Sequence, residues 1–328
     1  MQAAMLQDRY NRRFPYLRLS VTEACNFRCT YCLPDGYKKT APHNFLSVDE
    51  IRNLVRAFAG LGIRKVRLTG GEPTLRADLA DIISVIAETP GIETVALTTN
   101  GYKLTRSLAD YRAAGLSALN VSVDSLIPDR FKAITGHDRL LEVLDGIALA
   151  QELGFRAVKI NTVLQRGVND DELPGFLKLI KKRALSVRFI ELMRTGDSAA
   201  YFAERHLDPA PMISFLATAS WAEQERRATD GPARVFRHSD YTGSIGFIAP
   251  YSKDFCSTCN RLRISARGGL QLCLFGNDIF DLRRFLARED TLETMQDRVA
   301  TLLGLKRETH ELTEGKSGRT RHLAMIGG

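Results

Sequence analysis

The chain has 328 residues, 44% of them hydrophobic and 26% charged, a globular balance with ample material for a core. Lys and Arg exceed Asp and Glu by 46 − 38 = 8, which suits a polyanionic partner, either nucleic acid or a phosphorylated small molecule. No stretch approaches the roughly 18 apolar residues of a membrane span, and residues 1–15 carry Arg9, Arg12 and Arg13 instead of an apolar leader, so a cytoplasmic protein is expected.

From residue 16 onward, strand and helix patterns alternate. Leu17–Val21 reads as the first strand. Ser47-Val-Asp-Glu50 is a capping box: the Ser side chain accepts from a backbone N–H and the Glu reaches back to the cap, opening a helix to about Gly60. Strands follow over Lys65–Thr69, Thr94–Thr98, Leu119–Val123, Ala157–Val163 and Val187–Leu192. Helices are expected over Leu79–Glu88, Arg106–Ala114, Leu140–Leu153 and Asp171–Arg183. Six βα-like units in series imply a parallel sheet curled toward a barrel, because right-handed crossovers put each helix outside. Six is short of the eight that close a (β/α)8 barrel. The expected fold is α/β, an open six-stranded TIM-like partial barrel.

Unusual residues fall at the carboxyl ends of these strands, the face that carries the active site in α/β barrels. Cys25 follows the first strand, Gly70-Gly71-Glu72-Pro73 the second and Thr98-Thr99-Asn100-Gly101 the third. Ser122 and Asp124 close the fourth, Lys159 and Asn161 lie on the fifth, and Glu191 and Met193 end the sixth. Strand alternation turns some of Lys65, Arg67 and Lys159 inward, where a buried cation needs an anion.

After Gly196 the pattern becomes helical and irregular. From Phe236 it turns to hairpin chemistry, with turns at Asp240-Tyr-Thr-Gly243 and Gly268-Gly269. Thr291–Leu305 reads as an amphipathic helix, and the chain ends in Gly327-Gly328. A division near 235 is expected, with residues 1–235 forming the partial barrel and 236–328 a Cys-bearing region that caps its mouth.

The six cysteines form two groups of three. Cys25, Cys29 and Cys32 are spaced C-x3-C-x2-C; Cys256, Cys259 and Cys273 are spaced C-x2-C-x13-C, with Cys273 returning to the pair after the Gly-Gly turn. In a reducing cytosol such groups read as metal ligands, not disulfides. Thiolates select iron–sulfur clusters, zinc or copper(I). Zinc normally wants four ligands, whereas a [4Fe–4S] cluster on three Cys keeps one iron open. Three apolar cysteines on a helix face are the bland alternative for the first group, and a zinc ribbon for the second. The Pro34-Asp35-Gly36 turn and the missing fourth ligand favour two clusters.

The first spacing resembles the signature of the radical S-adenosylmethionine (SAM) enzymes. With Lys65-Val-Arg-Leu-Thr-Gly-Gly-Glu-Pro73, Asn120-Val-Ser-Val-Asp124, Arg188-Phe-Ile-Glu-Leu-Met193, Cys256 to Arg263 and the terminal Gly-Gly, the chain resembles the bacterial GTP 3′,8-cyclase family over nearly its whole length. That family starts molybdenum cofactor biosynthesis. The resemblance implies two [4Fe–4S] clusters. The first binds SAM, held by Tyr31, Gly71, Ser122 and Met193. The second offers an open iron to the purine of GTP. Arg18, Arg67, Thr98, Lys159, Arg261 and Arg263 match the family's GTP positions, with Leu262 inside the same segment. Arg261, Arg263, Gly327 and Gly328 are the implied catalytic residues. The implied chemistry is abstraction of the ribose 3′ hydrogen by a 5′-deoxyadenosyl radical, then closure of C3′ onto C8 of guanine. An electron donor such as flavodoxin or ferredoxin, hand-over to cyclic pyranopterin monophosphate synthase and a homodimer are further implications; nucleic acid and membrane partners are not expected. The rival readings are a radical SAM enzyme acting on a peptide with an auxiliary cluster, and a zinc-ribbon nucleic-acid binder.

Overall fold

The computed structural model describes residues 5–39, 44–287 and 291–325. The six expected strands are present in order: β1 (Tyr16–Ser20), β2 (Lys65–Thr69), β3 (Thr94–Thr99), β4 (Ala118–Ser122), β5 (Ala157–Leu164) and β6 (Ser186–Glu191), each parallel to the next. Five helices cross between them as expected or nearly so: α1 (Val48–Gly60), α2 (Leu79–Ala87), α3 (Leu104–Ala113), α5 (Leu140–Glu152) and α6 (Leu173–Ile180). The Ser47 capping box forms, and its Glu50 also pairs with Arg283. One helix, α4 (Pro128–Thr135), was not expected. Its signal was legible: Pro128 sits in the first turn and Gly136 ends it at φ 75°, the Pro-start, Gly-stop asymmetry of helices. Two short helices, α7 (Ala199–Arg205) and α8 (Ala210–Thr218), occupy the irregular stretch.

The sheet does not stop at six strands. β9 (Ser244–Ile248) joins β6 in parallel, and β10 (Arg261–Ile264) joins β1 in parallel. Antiparallel pairs then finish both ends, β8 (Arg234–Arg237) with β7 (Ala222–Gln224), and β11 (Gly269–Gln271) with β12 (Phe280–Asp281). Among the described residues the result is one twelve-stranded sheet that runs from β12 at one edge to β7 at the other. Side chains from β10 at one side and β6 at the other line a common cavity, so the sheet is curled.

Strand alternation sorts the residues by face. Leu17, Val66, Leu68, Leu97, Leu119, Val158 and Val187 point out beneath the helices and are buried in the main core. The inward face is polar: Arg18, Arg67, Asn120, Asn161 and Arg188 line the cavity. The last helix, α9 (Leu292–Leu303), lies beside α1, with Gln296 Nε2 donating to the Ala57 carbonyl at 3.0 Å.

Candidate active site

The first cysteine loop leaves the carboxyl end of β1, and its conformation is held by the Gly-Gly-Glu-Pro turn after β2. Gly71 N donates to Thr22 O at 2.9 Å and Glu72 N to Ala24 O at 2.7 Å. A Cβ on Gly70 would lie 2.2 Å from Thr22 O, and one on Gly71 2.2 Å from Ala24 O. The glycines thus allow one backbone to lie against the other. Buried Glu72 locks the arrangement, accepting from Thr74 Oγ1 at 2.6 Å, Thr99 Oγ1 at 2.7 Å and Asn100 N at 2.6 Å.

Cys25, Cys29 and Cys32 line one pocket together with Tyr31, Gly71, Ser122, Asp124 and Met193. Tyr31 Oη donates to Asp124 Oδ2 at 2.9 Å, while Asp124 Oδ1 accepts from Val163 N at 2.8 Å. Burial pushes the Cys25 thiol up to about 12 and Cys32 to about 11, with Glu72 adding to the first and Asp124 to the second. Cys29 is raised by burial and Asp124. Asp124 itself is pushed up to about 6 by burial. Three soft thiols on one pocket wall, none in a disulfide, are a donor set that fits an iron–sulfur cluster with one iron left open. Leu323 and Ala324, near the end of the described chain, close the pocket's remaining side.

Cys256, Cys259 and Cys273 line a second pocket that opens into the sheet's polar interior. Asn161, Ile190 and Met193 line both pockets, so the two meet. Here the thiols differ: burial raises Cys256 above its usual range, and Cys259 goes the other way. Burial would raise the Cys259 thiol, but Lys306, Arg261 and Arg12 bring it down to about 6. Arg18, Arg67, Arg188, Arg261, Arg263 and Lys306 line this pocket; no Asp or Glu among the described residues does. Arg18 stands in register with Arg67 on one side and with Arg263 on the other. Like charges placed directly opposite destabilise a sheet, so such a row calls for an anion. Burial lowers Arg18 and Arg188 to about 10 each, with Arg67 contributing to both, and drives Arg263 well below its usual range. Lys159 is brought down to about 6 by burial and by Arg188, Arg67 and Lys65. Burial would raise Tyr16, yet Arg67, Arg18 and Lys65 take its phenol down to about 7. Asn120 Oδ1, Arg188 Nε, Gln271 Oε1 and His310 Nε2 are buried with no hydrogen-bond partner among the described residues.

The expected residues are placed as follows. Arg18, Arg67, Arg261 and Arg263 meet in the second pocket, and Met193 belongs to both. Thr98 lines the first pocket and accepts from Arg67 Nη1 at 3.1 Å. Lys159 lines a neighbouring cavity that shares Arg188 with the second pocket, beside Asp230. Leu262 does not face the pocket. Alternation turns it outward, fully buried in the main core, while Arg261 and Arg263 point in. Gly327 and Gly328 lie outside the described residues. Arg188, Asn120, Lys306 and His310 also line the second pocket and are not among the expected site residues, although Asn120 and Arg188 open two of the runs that carry the resemblance. Strand alternation could have found Arg188, two residues before Ile190; nothing local marks Lys306 or His310.

Thiols at the carboxyl ends of a curled parallel sheet, beside a Gly-Gly-Glu-Pro turn, define a radical SAM enzyme. Residues 19–180 match the radical SAM superfamily, and residues 185–312 match the molybdenum cofactor synthesis C-terminal family. The chain is 57% identical over 325 residues to a GTP 3′,8-cyclase of Stenotrophomonas maltophilia (strain R551-3), covering 99% of this chain and 100% of that one. It is 53% identical over 324 residues to that of Tolumonas auensis, covering 99% and 96%. Streptococcus suis SuiB bound to S-adenosylmethionine shares the fold, with TM-score 0.62 at 14% identity over 96% of this chain and 78% of that one. The chain belongs to the GTP 3′,8-cyclase family, whose radical SAM chemistry carries a [4Fe–4S] cluster and SAM.

Proposed function

We propose that this chain converts GTP to 3′,8-cyclo-7,8-dihydro-GTP, the opening step of molybdenum cofactor biosynthesis. The observation that carries the reading is the in-register row Arg263, Arg18 and Arg67 beside the second cysteine trio, in a pocket that meets the first. A triphosphate carries about four negative charges, and guanidinium groups match its oxygens bidentately.

Cys25, Cys29 and Cys32 hold the first cluster, with Tyr31, Gly71, Ser122 and Met193 around SAM; when bound, the two supply a 5′-deoxyadenosyl radical. The second trio would hold a second [4Fe–4S] cluster, which would supply a Lewis-acid site for the purine. Arg261, Arg263, Arg18, Arg67, Arg188 and Lys159 hold the triphosphate, and Thr98 steadies Arg67. Leu262 acts as the buried spacer that keeps Arg261 and Arg263 on one face. Purine and phosphates gripped on the second-trio side leave the ribose to bridge toward Met193 and Ile190, where its 3′ hydrogen faces the SAM pocket. Apolar Ile190, Phe255, Leu274 and Phe275 on the cavity wall keep water from a carbon radical.

In this reading the first trio within residues 1–235 serves the radical chemistry, and the substrate is shared: residues 1–235 supply Arg18, Arg67, Lys159 and Arg188, and residues 236–328 supply the second trio, Arg261 and Arg263. The enzyme works in the cytoplasm, with a homodimer as its proposed assembly; among the described residues no helix is long and apolar enough to cross a membrane. A flavodoxin or ferredoxin supplies electrons, and the product passes to cyclic pyranopterin monophosphate synthase. The deciding experiment is anaerobic incubation with SAM, dithionite and each nucleoside triphosphate in turn. Cyclised product from GTP alone is expected; its absence beside normal deoxyadenosine release would refute the substrate.

A further inference from the structure

Two buried cations flank the second cysteine trio, and they are anchored differently. Arg12 is neutralised, with its Nε donating to Asp8 Oδ2 at 2.7 Å. Its Nη1 donates to the carbonyls of Cys256 and Glu308 at 3.1 and 2.6 Å, and its Nη2 to that of Arg307 at 2.6 Å. That is a clamp on the loop carrying Cys256. Lys306 is only 3% exposed. Its Nζ donates to the carbonyl of Leu272, the residue before Cys273, and stands 5.4 Å from the centre of the Phe14 ring. No carboxylate among the described residues forms an ion pair with it, and it lines the same pocket as all three thiols. A buried ammonium with one carbonyl and one ring face still needs an anion. The anions this position meets are the thiolates of the trio.

We propose that Lys306 sets the reduction potential of the second iron–sulfur cluster, while Arg12 fixes the backbone that presents Cys256. The proposal rests on the reading that this trio holds a [4Fe–4S] cluster. In the one-electron 2+/1+ couple, an external reductant adds one negative charge to the cluster. A fixed cation nearby favours that reduced form and raises the potential. Lys306 is a positioning residue in this sense: it touches neither substrate nor reacting carbon by necessity, and acts through charge. The first trio faces Glu72 and Asp124 instead, so the second cluster is the more easily reduced of the two.

The test is a mediator-controlled redox titration with dithionite, followed by electron paramagnetic resonance, on anaerobically reconstituted full-length protein. Cys29→Ala and Cys273→Ala variants assign each signal to its trio. Lys306→Met is expected to shift the second cluster's midpoint to more negative potential and leave the first unmoved; Lys306→Arg is expected to keep the wild-type midpoint. Eight irons per chain with an unshifted midpoint in Lys306→Met overturns the role of Lys306 alone. Four irons in the reconstituted wild-type protein overturns this proposal and the two-cluster reading together. Should Lys306→Met lose the second cluster, Lys306→Arg decides. Retained iron at the wild-type midpoint supports a role for charge, and loss in both variants overturns it.

Discussion

The two cysteine trios use the same ligand in opposite surroundings. Burial first, and then Asp124 and Glu72, push the thiols of the first trio toward protonation. The second is ringed by Lys306, Arg261 and Arg12, which hold Cys259 down at about 6. Thiolates are the form that binds metal, so Cys259 is held toward the metal-binding form, although burial still raises its neighbour Cys256. The first trio must deprotonate against its surroundings as the metal binds. The difference matches the proposed division of labour: a site for a zwitterionic cofactor tolerates carboxylates, and a site for a polyanion does not.

The sharpest way to break this contrast is to remove one ligand from each trio. Cys29→Ala is expected to abolish reductive SAM cleavage, read as deoxyadenosine, and with it all cyclised product. Cys273→Ala should keep about four irons and measurable deoxyadenosine release while losing cyclisation; normal product from this variant would make the second trio structural.

Next in size is the cation row. Arg263→Ala is expected to weaken GTP binding by about 1.5–3 kcal/mol, roughly 10- to 150-fold, the worth of a hydrogen bond to a charged group. SAM affinity should stay unchanged, and calorimetric titration with each ligand separates the two.

Lys159 gives a prediction in pH. Its folded pKa, about 6, lies far below the ordinary 10.5. The unfolded chain therefore binds the extra proton between those values, so this group's contribution to stability rises with pH across that window and is lowest at pH 6 and below. Lys159→Met should remove the slope and raise the melting temperature of the ligand-free protein near pH 6–7 by a few degrees, on the order of 2–4 °C per kcal/mol. An arriving triphosphate favours the charged lysine, so GTP binding near pH 7 should take up a proton and weaken as pH rises. Calorimetry in buffers of different ionisation enthalpy measures the uptake, which the Met variant should lose.

The smallest effect belongs to the SAM side. Tyr31→Phe removes the 2.9 Å bond to Asp124 and should cost SAM binding about 0.5–1.5 kcal/mol. GTP affinity measured beside it should not move.

Much of this was legible in the sequence because it is local. Strand and helix periods, the Ser47 capping box and both cysteine spacings need only neighbours along the chain. The cation row is not local. Arg18 and Arg263 become a pair only because β10 lies beside β1, and no periodicity announces which strand closes a sheet. Arg188 was visible as a residue, but its inward aim depends on the register with Asn161. Leu262 shows the converse: its place in the segment was right, and alternation sends its side chain to the core. Lys306 follows a helix end in a turn, where sequence carries no sign of burial.

One pairing has a consequence for how the protein is made. Tyr16 waits for Arg261 as its strand partner. At ~5–20 residues per second, the ribosome delivers that partner roughly 10–50 s after β1 emerges. Throughout that interval β1 has one edge covered by β2 and the other open, the exposed edge that invites wrong pairing between chains. Arg18, so useful to a finished pocket, also serves there as a charge that discourages association. A chain interrupted before residue 261 keeps the edge open for good and is expected to aggregate on synthesis, so a strand from late in the sequence protects the first one.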